Sequence, residues 1–444
     1  MRMSGKSFKG GIHPGYNKGK TESFPITSIP FPGKVVIPLL QHIGAPCEPL
    51  VEVGDEVKKG QKIAESEGFV SAPVHASIGG KVVSVGPDYT PVGSRVKSIV
   101  IEGNGSDEQA ERLNPARKTL EELSGEEIVA IIREAGIVGM GGAAFPTHVK
   151  LSPPEGKKID TVILNGAECE PYLTADHRIM LEDPESVVLG LKAVLKVLNA
   201  HTGVIGIEDN KPDAVKTLQE TVKGEKNITV FPLPTKYPQG AEKMLIEVIT
   251  GRQVPSGGLP LDVNVVNLNV GTSAAIAHAI VDGTPLIERV VTVSGSGIKK
   301  PSNLMVKIGT TFADVIEQCG GTVGKISKVI SGGPMMGISL PTTAVPVIKG
   351  TSGILVLTDQ EVQLGEIGPC IRCSRCIAAC PMNLLPNFLG TVSEKRLFEE
   401  AEAFHALDCI ECGCCAYVCP ASRPLTQWIR VSKAEITARR RKSQ

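Results

Sequence analysis

The stretch CIRCSRCIAACP, residues 370–381, sets four cysteines at gaps of two, two and three residues and closes on a proline. The pattern returns at 409–420 as CIECGCCAYVCP. Nine of the chain's twelve cysteines stand in these two runs, eight of them at the repeated spacing. That regularity reads as metal binding in a reducing compartment, not as a disulfide framework.

The run C-x2-C-x2-C-x3-C-P is the spacing of bacterial ferredoxins that hold two [4Fe–4S] clusters. Three thiolates on one tight loop reach three corners of a cube. The fourth cysteine opens a helix pointing away and serves the other cube. By that rule Cys370, Cys373, Cys376 and Cys419 hold one cluster, and Cys409, Cys412, Cys415 and Cys380 hold the second. Pro381 and Pro420 turn the chain after each run and remove a backbone donor. A zinc reading would need four ligands per ion, usually in two separated pairs. Cys414 is surplus and reads as a small non-ligand side chain. Cys47, Cys169 and Cys319 are isolated and read as buried thiols. Between the motifs, 387–407 has helical apolar spacing, so a helical module is expected. Such clusters pass single electrons, which must come from elsewhere in the chain or from a partner.

At 444 residues the chain is too long for one core, and several domains are expected. Lys+Arg and Asp+Glu both total 47, so overall charge points to no partner class and no nucleic acid is expected. The tail KAEITARRRKSQ, 433–444, carries five basic residues against one acid, a local +4. It reads either as a frayed solvated end or as a contact for an acidic partner or lipid surface. The most apolar helical segment, SVVLGLKAVLKVL at 186–198, is interrupted by Lys192 and Lys196 and is too short to span a bilayer. The opening MRMSGKSFKGG has no apolar core of a secretory signal.

The middle of the chain is glycine-rich. Ser124 and Glu127 make an S-x-x-E capping box before the amphipathic run IVAIIREAGI. GMGGAAFP follows, with Gly139, Gly141 and Gly142 able to bring backbone N–H groups close to a phosphate. It is neither a Rossmann fingerprint nor a Walker loop, and a plain tight turn would also explain it. TVILNGAECEPYLTADHRIM, 161–180, opens as a buried strand and turns polar at Asn165, Glu168, Glu170 and Asp176. Strand C-termini are where α/β folds place ligand groups; a solvated loop with helix-capping acids is the plainer alternative.

GMGGAAFPTHVK followed by LNGAECEP resembles the flavin site of the NADH-oxidising flavoprotein subunit of respiratory complex I, with its G-R-G-G-A-G-F-P-T and N-A-D-E-S-E-P loops. The resemblance implies that Gly139, Gly141, Gly142 and Lys150 cradle the FMN phosphate and ribose. It implies that Asn165, Glu168 and Glu170 contact FMN and the nicotinamide, and that Phe145 stacks on NADH. Glu170 and Phe145 would be the catalytic pair. YPQGAEKMLI at 237–246 resembles the Y-x-x-G-E-E segment and brings in Tyr237, Gly240 and Glu242. NLNVGT at 267–272 resembles N-N-V-E-T and brings in Asn269 and Thr272. Met140 stands where those relatives have Arg, and Ala144 where they have Gly. NADH releases two electrons as hydride while the clusters take one, and a flavin between them reconciles the two.

Residues 34–102 are rich in short β runs, and G-D-x-V-x-x-G-Q-x-I-A followed by A-P-V-x-A-x-I-x-G-x-V resembles lipoyl-type barrel-sandwich domains. The hairpin ESEGFVSAP has no Lys, so no lipoylation is expected. Residues 289–321 alternate as strands, then turn helical, and resemble a β-grasp SLBB domain. The expected class is multidomain α+β and α/β. The divisions are an N-terminal arm and lipoyl-like barrel-sandwich domain (1–110), a complex I flavoprotein-like FMN/NADH domain (115–285), an SLBB domain (286–350), a helical two-[4Fe–4S] ferredoxin-like domain (360–432) and a basic tail (433–444).

With FKGGIHP at 8–14 and SGGPMMG at 331–337, this order resembles the RnfC family, a component of Rnf ion-translocating ferredoxin:NAD oxidoreductase complexes. The resemblance implies FMN, NAD(H) and two [4Fe–4S] clusters as cofactors. It also implies a peripheral subunit on the cytoplasmic face of the bacterial inner membrane, attached through membrane and iron–sulfur partner subunits and meeting ferredoxin indirectly. Two other readings stay open: a soluble flavin/iron–sulfur reductase of the cobalamin-reductase type, which the N-terminal 110 residues disfavour, and a cluster-only relay subunit.

Overall fold

The computed structural model describes residues 7–105, 108–362 and 365–442. In the N-terminal region, strands Lys34–Pro38, Arg95–Gly103, Gly80–Tyr89 and Glu56–Val57 form one antiparallel sheet. Strands Glu48–Pro49, Lys62–Glu65 and Val74–His75 form another. Strand alternation sends Val35, Ile37, Val82, Ile99 and Ile101 of the first sheet and Ile63 and Val74 of the second into one shared core. The lysine-free loop lies between Lys62–Glu65 and Val74–His75, as the spacing predicts.

The central unit is a four-stranded parallel sheet in the order Ile228–Leu233, Thr202–Glu208, Thr161–Gly166, Val265–Asn269. The TVIL run is therefore a strand, buried on both faces as parallel strands are. Helix Gly125–Glu134 starts at Ser124 with the capping box formed, the Ser124 hydroxyl accepting from Glu127 N–H. Helices Pro184–Leu198 and Val270–Val281 pack against each other so closely that a Cβ on Gly190 would meet the Ser273 carbonyl oxygen at 1.9 Å. Asn165 and Asn269 stand in register at the carboxyl ends of the two neighbouring strands.

A six-stranded mixed sheet follows, ordered Ile26–Ser28, Ser302–Lys307, Glu288–Ser294, Gly353–Thr358, Ile326–Ser331, Ile338–Leu340. Helix Phe312–Gln318 buries Phe312, Val315 and Ile316 against it. The strand-then-helix reading of 289–321 holds. The parallel edge strand Ile26–Ser28, donated from the arm, is invisible to local pattern because its partner is far away in sequence.

The C-terminal unit is helical, through Arg375–Ala379, Pro386–Glu394, Phe398–Ala403, Cys414–Tyr417 and Leu425–Lys442. The frayed reading of the tail is corrected as far as Lys442. The last helix is seated by Ile429 and Ile436 against Leu389 and Ala401, and Arg439 pairs with Glu435 at 2.9 Å. Residues 443–444 lie outside the described chain, as do the first six of the opening segment. Among the described residues no helix is long and apolar enough to cross a membrane.

Candidate flavin cradle and cysteine clusters

The two motifs bring their cysteines together in the crossed arrangement that the spacing predicts. Cys370, Cys373, Cys376 and Cys419 line one small cavity with Ile371, Arg372 and Leu425. Cys380, Cys409, Cys412 and Cys415 form a second group close enough for mutual electrostatic repulsion. Burial pushes the Cys409 thiol up to about 11 and the Cys415 thiol up to about 12. Thiolates so placed need a strongly cationic core among them. Among the described residues no group of three or more His, Cys, Asp or Glu could hold a single metal ion.

Cys414 is fully buried, close to Cys412 in sequence and packed in the same cluster of buried residues. Cys47 and Cys319 are buried as expected. Cys169 departs from that reading: it is only partly covered and accepts from Gly240 N–H at 3.3 Å. It belongs to the candidate flavin loops because the tight turn after strand Thr161–Gly166 carries it there.

The glycine loop is stitched to the end of the central sheet. Gly139 N–H donates to the Phe145 carbonyl at 2.9 Å, closing the turn. Met140 N–H donates to the Thr272 hydroxyl at 2.9 Å, and the Met140 side chain is buried. A Cβ on Gly141 would come within 2.7 Å of Asn269 Nδ2, whereas one on Gly142 would point into open space. Phe145 is half-buried at the end of this loop. Asn269 caps helix Val270–Val281 through Gly271 and Thr272 N–H, and its amide donates to Asp176 at 2.7 Å. Lys150 Nζ binds Glu242 at 3.1 Å and the Asn267 carbonyl at 2.9 Å. Asn165 donates to the Gly240 carbonyl at 2.8 Å. These loops therefore converge at the carboxyl edge of the parallel sheet.

Three further expected ligand residues are also engaged by the protein itself. Glu168, at φ 44°, accepts from Asp176 and His177 N–H and so caps the helix that follows. Glu170 accepts from Met335 N–H at 3.0 Å and Met336 N–H at 2.8 Å, both in the SGGPMMG loop. Burial raises its carboxyl to about 7. Tyr237 is 2% exposed, and its hydroxyl donates to the Cys412 carbonyl at 2.8 Å.

Residues outside the sequence-derived set complete the arrangement. Buried Lys18 donates to the carbonyl of Glu168 at 2.7 Å and also to that of Leu173. The FKGGIHP arm passes between the flavin loops and the second cysteine group: Ile12 and Tyr237 exchange backbone bonds, and Gly11 N–H donates to the Ala379 carbonyl at 2.9 Å. In sequence, these glycines and the SGGPMMG loop are visible only as family marks. Their partners lie more than 150 residues away, beyond any local pattern.

The residues present fit a flavin mononucleotide. The glycine cradle is open at Gly142, and Asn267 Oδ1 and the Gln239 amide are buried beside the loops with no protein partner.

Family models match along the chain: an RnfC barrel sandwich hybrid domain at 6–106, a Nuo51 FMN-binding domain at 132–278, an SLBB domain at 290–339 and a 4Fe-4S dicluster domain at 369–422. FMN and two [4Fe–4S] clusters are the cofactors these domains are named for. The RnfC component of the proton-translocating ferredoxin:NAD(+) oxidoreductase complex of Clostridium ljungdahlii is 54% identical, over 97% of this chain and 94% of that one. The Na(+)-translocating counterpart of Acetobacterium woodii is 49% identical over the full length of both chains. Among solved structures, an NAD+-reducing [NiFe]-hydrogenase in the air-oxidized state aligns with a TM-score of 0.48 at 20% identity, over 63% of this chain and 54% of that one. With the curated similarity running end to end, the chain belongs to the RnfC family, a component of ion-translocating ferredoxin:NAD(+) oxidoreductase complexes.

Proposed function

We propose that the chain passes electrons between NAD(H) and its two [4Fe–4S] clusters through FMN, as a peripheral subunit of an ion-translocating complex. It would sit on the cytoplasmic face of the bacterial inner membrane, held by membrane and iron–sulfur partner subunits, and exchange electrons with ferredoxin through them. The observation that carries this reading is the bond from Tyr237, in a candidate flavin loop, to the carbonyl of Cys412, a candidate cluster ligand.

Bound FMN would supply the exchange between a two-electron hydride and single electrons. The chain's own groups would do the rest. Gly139, Gly141 and Gly142 leave backbone room for a phosphate. Lys150 offers a cation at the sheet edge, and Phe145 a ring against the nicotinamide. Glu170, with a carboxyl near neutrality, would hold the nicotinamide end and keep the SGGPMMG loop closed over it.

The test uses the purified full chain, reconstituted with iron and sulfide without oxygen. About eight irons, one FMN and bleaching of both by NADH support the reading. Eight irons with neither flavin nor response to NADH would leave a cluster-only relay.

A further inference from the structure

The N-terminal arm and the six-stranded sheet frame an open cleft of about 670 Å3. That lies within the range of small-molecule sites, roughly 300–1,000 Å3. The cleft forms where the arm strand Ile26–Ser28 pairs with Ser302–Lys307. Three lysines line it: Lys20 from the arm, and Lys299 and Lys300 from the turn before Ser302. Among the described residues no carboxylate lines the cleft and none of the three lysines forms an ion pair; Lys20 Nζ bonds only to the Gly295 carbonyl, at 3.5 Å. Like charges gathered without a counter-ion favour an anion between them. The lysine turn is held by main chain, Lys299 N–H donating to the Gly321 carbonyl at 3.2 Å and Lys300 N–H to that of Cys319 at 2.9 Å. In the same cleft the Phe24 ring is 53% exposed, beside Pro25 and Pro301. A free aromatic face next to unpaired lysines suits a ligand that joins phosphates to a flat base. The arm is also tied to the flavin-like unit: Lys18 donates to the Glu168 carbonyl at 2.7 Å, and Ile26 N–H to the Glu182 carboxylate at 3.0 Å.

We propose that this cleft binds a nucleoside di- or triphosphate, at a site that shares no residue with the flavin cradle. Lys20, Lys299 and Lys300 take the phosphates as point charges, and Phe24 stacks on the base. Lys20 belongs to the arm and the other two lysines to the turn that leads into the sheet, so the phosphates bridge segments far apart in the chain. Occupancy therefore clamps the arm whose Lys18 holds the Glu168 loop. Binding involves no covalent or redox step and goes beyond the proposed electron path.

The test titrates the reconstituted full chain with ATP, and separately with inorganic pyrophosphate, by calorimetry without NADH. ATP should bind the parent, and Lys299→Glu combined with Lys300→Glu should weaken it by about ten-fold or more. Lys223→Glu combined with Lys226→Glu removes the same charge from exposed positions outside the cleft and should leave binding unchanged. Phe24→Ala should weaken ATP by about ten-fold and leave pyrophosphate as it was, because only ATP carries a base to stack. ATP should also slow amide exchange across residues 18–28 in the parent and not in the lysine double variant. No ATP binding, or equal binding in the parent and the lysine double variant, would overturn the site. Equal losses in both double variants would reduce it to diffuse charge and overturn it too. Phosphatidylglycerol vesicles that bind through Lys299 and Lys300 while ATP does not would assign the lysines to a lipid surface instead. Because binding is read without NADH, failure of NADH to bleach flavin would strike the proposed function alone.

Discussion

The Tyr237 hydroxyl donates to the main-chain carbonyl of Cys412 at 2.8 Å, and the Glu170 carboxyl lies close enough to act on that hydroxyl electrostatically. One side chain thus ties a candidate flavin loop to the second cysteine motif. Tyr237→Phe leaves the buried carbonyl without its donor, at a cost of about 1–3 kcal/mol. The expected result is a lower denaturation midpoint for the reconstituted chain, together with an altered EPR spectrum for the Cys380/Cys409/Cys412/Cys415 cluster only. Equal changes at both clusters would argue against a local link.

Gly10 has φ 74°, and a Cβ there would stand 2.6 Å from the Cys380 carbonyl oxygen. Neither the backbone angle nor the space suits alanine. Gly10→Ala should therefore unseat the arm and lose iron from the second cluster, down towards about four per chain. Gly142→Ala is the control for the local cost of a methyl group, because nothing lies within 4 Å of its added Cβ. It should retain both clusters while weakening flavin retention.

The crossed ligand sets make the cysteine variants informative. Cys419→Ser should cost the cluster formed with Cys370, Cys373 and Cys376, although Cys419 stands in the other motif. Cys414→Ala should keep about eight irons, because Cys414 stands outside both sets of four at the repeated spacing. Iron and acid-labile sulfide assays decide both. An uncrossed pairing predicts that Cys419→Ser damages the Cys409/Cys412/Cys415 signal instead.

Glu170 offers two oxygens to two backbone donors, Met335 and Met336 N–H. Glutamine replaces one oxygen with an NH2 group and sets donor against donor. Glu170→Gln should slow flavin reduction by NADH by about ten-fold or more, of the order of 1.4 kcal/mol in the barrier. Phe145→Ala should act mainly on NADH affinity. Full NADH turnover in both variants would falsify the assignment of these two residues.

Lys349 is buried and donates to the carbonyls of Pro73 at 2.7 Å and Gly136 at 2.6 Å, joining the barrel-sandwich and flavin-like units. Burial pulls its ammonium down to about 7 from an ordinary 10.5. The folded chain therefore releases this proton more readily than the unfolded chain. Its contribution makes stability rise as pH climbs from about 7 towards 10.5. Denaturant midpoints across that window should climb more steeply in the parent protein than in Lys349→Met. Parallel curves would show that Lys349 keeps an ordinary affinity for its proton.

Short-range chemistry was legible from the chain alone. The cysteine gaps predicted two crossed groups of four, and the fold brings Cys419 into one cavity with Cys370, Cys373 and Cys376. The S-x-x-E box placed a helix start at Ser124, and the TVIL run placed a buried strand. The glycine loop and the asparagines could be named because a close backbone approach and strand C-termini have local signatures. Tertiary structure decided how these parts meet. The arm strand Ile26–Ser28 completes a sheet with Ser302–Lys307, and Glu170 finds its donors in the SGGPMMG loop. Tyr237 turns from the cradle to the cysteine loop, and Cys380, Cys412 and Cys415 of one group are buried while Cys370 and Cys373 of the other are exposed. The contacts behind these arrangements join residues far apart in the chain, and such pairings are set by which surfaces pack, information that no local periodicity carries.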